Sequence, residues 1–141
     1  MVRIIAFDPA VTVMGVAVLS IEDGGCHVLH TPHVVGKKLL HDKEMIKIFA
    51  DVPGFCVVEA YKVLVWQLLK AWKPDEVVAE RAFVHKFPAA LISLTLVLNA
   101  IRVSSWVVSQ RDIRIISPTQ TKMIITGHGD ADKDMMKLGI L

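Results

Sequence analysis

Cysteine is scarce in this 141-residue chain: Cys26 and Cys56 are the only two, too few for a disulfide framework. The start also lacks the marks of a secretory signal. MVRIIAFD enters an apolar, β-type run directly, with no basic leader, long apolar stretch or small-residue cleavage site. Together these gaps predict a protein made and kept inside a cell. Clean apolar runs of membrane-spanning length are wanting too. The one stretch long enough to consider, AALISLTLVLNAIRVSSWVVS, carries Asn99, Arg102 and several serines, and is read as a buried helix followed by a strand. Repeats and low-complexity segments are absent. So is a strong excess of one charge: the net value of +2 says little about partners on its own.

What is present points first to a core. A hydrophobic content of 53% over 141 residues is ample for one ordinary domain. The charges are also unevenly spread. Residues 1–80 hold eight Lys/Arg against ten Asp/Glu, residues 81–122 hold six (Arg81, Lys86, Arg102, Arg111, Arg114, Lys122) against Asp112 alone, and residues 123–141 hold two against three. A middle of net +5 between flanks of −2 and −1 suits contact with an anionic polymer.

Runs at residues 3–8, 14–20 and 26–30, with the turn signal EDGG at 22–25, predict an antiparallel meander. Lys37–Ala50 is expected to be helical, and DVPG breaks it, with Pro53 suited to the first turn of a new helix. Val57, Tyr61, Leu64, Leu68 and Trp72 recur at spacings of 4, 3, 4 and 4, which predicts an amphipathic helix lying on a sheet. KPD stops it, and EVVAE reads as a buried strand ending on Glu80. A helix over about Pro88–Arg102, strands near Trp106–Val108 and Ile113–Ile116, and short helices after Pro118 and Ala131 complete the expected order.

Asp8 and Glu80 hold equivalent places, each ending an apolar strand. An uncompensated buried carboxylate is costly. Two carboxylates at the ends of adjacent strands, however, form an oxygen-ligand site for Mg²⁺ or Mn²⁺, whose charge makes their burial tolerable. Paired ions of this kind activate water and stabilise the leaving oxygen of a phosphodiester.

The motifs then resemble a family. IIAFDPAVTVMGVAV looks like the opening of RuvC-type Holliday junction resolvases, KPDEVVAERAF is similar to their segment bearing a catalytic Glu and a nearby Phe, and TQTKMIITGHGDADK resembles their segment with two lysines around Gly-x-Gly. The resemblance implies an α/β, ribonuclease H-like fold: a mixed five-stranded sheet, antiparallel meander plus parallel strands, flanked by helices in a single domain over 1–141. It implies an Mg²⁺- or Mn²⁺-dependent endodeoxyribonuclease that resolves four-way or other branched DNA, homodimeric, with no membrane partner, in a bacterial or phage-encoded cytoplasmic setting. Carried over by position, Asp8 and Glu80 are the metal-binding and catalytic carboxylates, Lys133 joins them as a catalytic cation, and Phe83, Lys86, Lys122, His128 and Lys133 face DNA.

Three departures stand out. Ala10 replaces the family's usual Gly, which asks whether the backbone there keeps φ negative. Met14 stands where a Thr is common. The family's last helix, bearing two further acids, has no counterpart before Leu141, and Asp130, Asp132 and Asp134 flank Lys133 in the segment preceding it. The rival expectation is therefore a ribonuclease H-like junction-binding module without a complete catalytic site. An actin-like or sugar-kinase reading fails for want of a second lobe.

Overall fold

The computed structural model describes residues 1–36, 55–82 and 88–140. The expected helix over Lys37–Ala50, the DVPG break, and the site candidates Phe83 and Lys86 lie outside the described residues.

The chain opens as an antiparallel meander: β1 (Val2–Asp8), β2 (Val13–Glu22) and β3 (Gly25–His30). Asp23 and Gly24 both take positive φ, 49° and 79°, between the paired residues Glu22 and Gly25. Two left-handed residues are what a two-residue hairpin with right-twisted strands requires, and Asp-Gly supplies them. Ala10 is not among the non-glycine residues with positive φ, so the loop after Asp8 needs no glycine there. A three-residue strand, β4 (His33–Val35), pairs with the start of β2.

Helix α1 (Phe55–Trp72) follows, then β5 (Glu76–Glu80), α2 (Pro88–Ser109), β6 (Arg114–Ile116), α3 (Pro118–Thr126) and α4 (Lys133–Ile140). The strands form one six-stranded sheet in the order β3-β2-β1-β5-β6, with β4 beside β2. β1, β5 and β6 run parallel, and the meander is antiparallel. The architecture is thus the expected mixed sheet with flanking helices, with two corrections. Trp106–Val108 continues α2 instead of forming a strand, because the chain keeps its helical bonds through the serines at 104 and 105 to Ser109. The additional strand is β4, whose three residues are too few for an alternating pattern to reveal.

Alternation assigns the two faces of the sheet. Ile5 and Phe7 of β1, Met14, Val16 and Val18 of β2, and Val77 and Ala79 of β5 are buried against Val57, Tyr61, Val65 and Leu69 of α1 and Val97, Ala100 and Ile101 of α2. Met14, the departure noted above, is a fully buried part of this core. Asp8 and Glu80 have the opposite parity and fall on the other face.

Tyr61 joins the core to the loops. Its ring is fully buried, and its hydroxyl lies 3.3 Å from the Val11 carbonyl and 3.4 Å from that of Val34. It thereby ties α1 both to the loop leaving Asp8 and to β4. Gly36 is forced by the same junction: a Cβ there would meet Val57 Cγ1 at 2.6 Å and the Val11 carbonyl at 2.7 Å.

Candidate active site

β1 and β5 are neighbours in register, Phe7 opposite Ala79, so one further step sets Asp8 beside Glu80 at the carboxyl ends of two parallel strands. The row extends both ways. Asp8 pairs with Gly15, Gly15 with His33, and Glu80 with Ile116. All five residues line one cleft of about 510 Å³, together with Thr31 and Thr121. Ligand sites in open α/β sheets lie at this carboxyl end, where strands stop and loops diverge.

Gly15 has a steric reason: a Cβ on it would come within 3.2 Å of Asp8 Cβ. Across the cleft, α3 begins directly after β6. Ser117 Oγ accepts from the Gln120 N–H and Gln120 Oε1 accepts from the Ser117 N–H, a reciprocal cap that fixes where the helix starts. That start brings Lys122 near the carboxylates.

The electrostatics favour a cation. The Glu80 carboxyl titrates above its usual range, first because it is partly buried and second because Asp8 is close, with Lys122 pulling in the opposite direction. Among the described residues, no hydrogen bond or ion pair reaches either carboxylate. Two facing acids, one of them resisting ionisation, are what a divalent cation relieves, and their oxygens suit Mg²⁺ or Mn²⁺. The donor set therefore fits such an ion, with Asp8 and Glu80 as the groups that would hold it. Among the described residues, no cluster of three or more His, Cys, Asp or Glu forms a fuller ligand set.

The structure thus brings together Asp8, Glu80 and Lys122. His128 is exposed on the α3–α4 connection, Lys133 is exposed as the first residue of α4, and neither lines the cleft. The acid that caps α4 is Asp132, whose Oδ1 accepts from the N–H groups of Asp134 and Met135 at 3.0 and 2.9 Å. Asp134 pairs with Lys137 at 3.4 Å. Sequence reasoning missed His33, Thr31 and Thr121. The only signal for His33 was Pro32, a turn residue that allows the short strand to start.

No protein-family model matches the chain. Among curated proteins it is similar to the crossover junction endodeoxyribonuclease RuvC of Xanthomonas oryzae pv. oryzae, 25% identical over 135 residues, which cover 94% of this chain and 70% of the relative. RuvC of Dictyoglomus thermophilum is 26% identical over 141 residues, covering 95% and 77%. Among solved structures, Thermus thermophilus RuvC in complex with a Holliday junction substrate superposes with a TM-score of 0.78 at 20% identity, covering 99% of this chain and 78% of the other.

The fold is that of RuvC-type resolvases.

Seen against RuvC, the mixed sheet falls into a ribonuclease H-like pattern.

Proposed function

We propose that this chain is a structure-selective endonuclease that hydrolyses phosphodiesters in branched DNA, four-way Holliday junctions included, with Mg²⁺ or Mn²⁺ held by Asp8 and Glu80. The observation that carries the reading is the pair of carboxylates on adjacent parallel strands, unpartnered among the described residues, open to a cleft and flanked by a lysine, in a chain similar to RuvC along almost its whole length. When bound, the ion supplies a Lewis acid for the phosphate and acidifies water.

The residues of the chain do the rest. Asp8 Oδ and Glu80 Oε present negative oxygens in fixed register because their strands are hydrogen-bonded to each other. Lys122 offsets their charge and offers an ammonium to a phosphate oxygen. Glu80 must be ionised to act as a ligand, so activity rises as pH climbs through its elevated titration range. His128 on the α3–α4 connection and Lys133 at the start of α4 face solvent, where they can follow the DNA backbone away from the bond being cut. The reading places the protein in a bacterial or phage-infected cytoplasm.

A homodimer belongs to the same proposal. Four-way junctions present two equivalent strands, and a two-fold pair of sites matches them. Its support is an exposed apolar face on α1 and α2, where Val63, Trp66, Val103 and Val107 line a shallow groove and Trp106 is 60% exposed. α2 is long and apolar enough over Ala90–Ser109 to cross a membrane, yet it packs Val97, Ala100 and Ile101 into the core, and the reading assigns its outer side to the second copy.

Cleavage of a synthetic four-way junction tests the proposal. The unaltered chain should cut in Mg²⁺ or Mn²⁺, while Asp8→Asn and Glu80→Gln should bind the junction without cutting it. Equal cutting by all three would overturn it. One observation favours a second reading, a junction-binding module: among the described residues only two candidate ligands meet. Tight binding by the unaltered chain with no cutting, even in Mn²⁺, would select that reading.

A further inference from the structure

β4 has no counterpart among the expected elements, and its first residue is the one that enters the cleft. His33 stands at the end of the row His33–Gly15–Asp8–Glu80, two strand spacings from Asp8, or about 10 Å between Cα atoms. Partners on neighbouring strands direct their side chains to the same face. Gly15, between them, has no side chain, so the space from the His33 imidazole to the Asp8 carboxylate is open.

The position is held from several sides. The Val16 N–H donates to the Pro32 carbonyl at 3.2 Å, the Gly36 N–H donates to the Thr12 carbonyl at 2.9 Å, and the Tyr61 hydroxyl reaches the Val34 carbonyl from the core. A three-residue strand with this many attachments is a fixed mount. His33 itself is exposed, and among the described residues no hydrogen bond or ion pair reaches its side chain. It does not cluster with Asp8 and Glu80 closely enough to form a metal-ligand group.

We infer that His33 is a DNA contact of the cleavage site, its imidazole N–H donating to a backbone phosphate that flanks the bond being cut. The inference rests on the reading of the cleft as a DNA-cleaving site. On that reading the cut strand passes over Asp8 and Glu80 with Lys122 on one side, and His33 is the donor on the other. A neutral imidazole retains one N–H, so the contact does not depend on protonation. The charged groups sharing the cleft and its border are Asp8, Glu80 and Lys122.

The test compares the unaltered chain with His33→Ala and His33→Gln, using a synthetic four-way junction as the probe. Binding is measured without divalent ions, and kcat and KM in Mg²⁺. His33→Ala should weaken binding and raise KM by roughly fivefold, the scale of one hydrogen bond. The pH profile of kcat should keep its shape, and His33→Gln, which keeps an N–H donor, should recover most of the loss. Unchanged binding in His33→Ala, or failure of the glutamine to recover it, would overturn the inference and leave the proposed function standing. Loss of a limb of the pH profile would overturn it in favour of a proton-transfer role. Absence of junction binding by the unaltered chain would overturn both.

Discussion

The two ends of the β1–β5 pair are built from the same strands and treated in opposite ways. At the amino end most strong polar groups near the strands find a partner, Arg3 Nε excepted. The Arg3 N–H donates to Asp75 Oδ2 at 2.8 Å, the Asp75 N–H donates to the Arg3 carbonyl at 2.8 Å, and Arg3 Nη1 donates to the Trp72 carbonyl where α1 ends. Arg111 Nη1 donates to the Asp75 carbonyl, and nearby Arg102 Nε donates to Asp112 Oδ1 at 2.7 Å, holding that carboxyl below its usual titration range. About 17 Å away, five strand steps from Arg3 to Asp8, the carboxyl end leaves Asp8 and Glu80 facing each other with no such partners. One end uses its polar groups to hold the elements together; on the proposed reading, the other keeps them available for a ligand. Local rules are satisfied where the chain only has to fold and broken where it has to act.

The sharpest way to break this contrast is to exchange residues at each end. Asp8→Asn should lower junction cleavage by more than about a thousandfold and leave the melting temperature near or above that of the unaltered chain. Arg3→Ala should do the reverse. It frees the Trp72 carbonyl and removes a guanidinium whose Nε is already buried without a partner, at a cost of about 1–2 kcal/mol. That lowers the melting temperature by roughly 3–6 °C while kcat measured well below the transition holds. A loss of cleavage in both variants at such temperatures would erase the distinction between the ends.

A smaller effect sharpens it through pH. The folded-state titration of Glu80 lies above that of an unfolded glutamate, so ionising it opposes folding. The penalty is absent below the unfolded value of 4.5, grows as pH rises towards the folded value, and is complete above it. In metal-free buffer, Glu80→Gln should therefore raise the melting temperature at pH 7.5 slightly, solvent screening keeping the effect small, and leave it unchanged at pH 4. Mg²⁺ should reverse the order at pH 7.5 by stabilising only the unaltered chain. Identical melting of the two proteins at both pH values would show that the carboxylates are not in conflict.

The smallest expected effect concerns the lysines. Replacing Lys122 by Ala should reduce the slope of log binding constant against log salt by about 0.9, one phosphate contact, and Lys133→Ala should do the same. An unchanged slope for Lys122→Ala would detach α3 from the DNA.

Asp8 and Glu80 were legible in the sequence because each ends a run of buried, strand-forming residues, and a charge in that place is conspicuous. β1, β2, α1 and β5 were legible for the same reason, since alternation and 3.6-residue spacing carry the burial directly. The strand expected at Trp106–Val108 shows where this stops. A bulky apolar run reads as strand or helix alike, and here the run continues the helix that begins at Pro88. Lys122 was singled out, but its nearness to Glu80 depends on where the Ser117 cap starts α3. Pro32 marked only a turn before His33, whose place in the row follows from the pairing of β4 with β2, a contact that no local pattern encodes.

Calorimetric titration with Mn²⁺, comparing the unaltered chain with Asp8→Asn, Glu80→Gln and Arg3→Ala, tests the central claim most directly. The account predicts that the cation binds the unaltered chain and Arg3→Ala alike, and that either change at the carboxyl end abolishes or strongly weakens binding. Undiminished Mn²⁺ binding in Asp8→Asn and Glu80→Gln would contradict it.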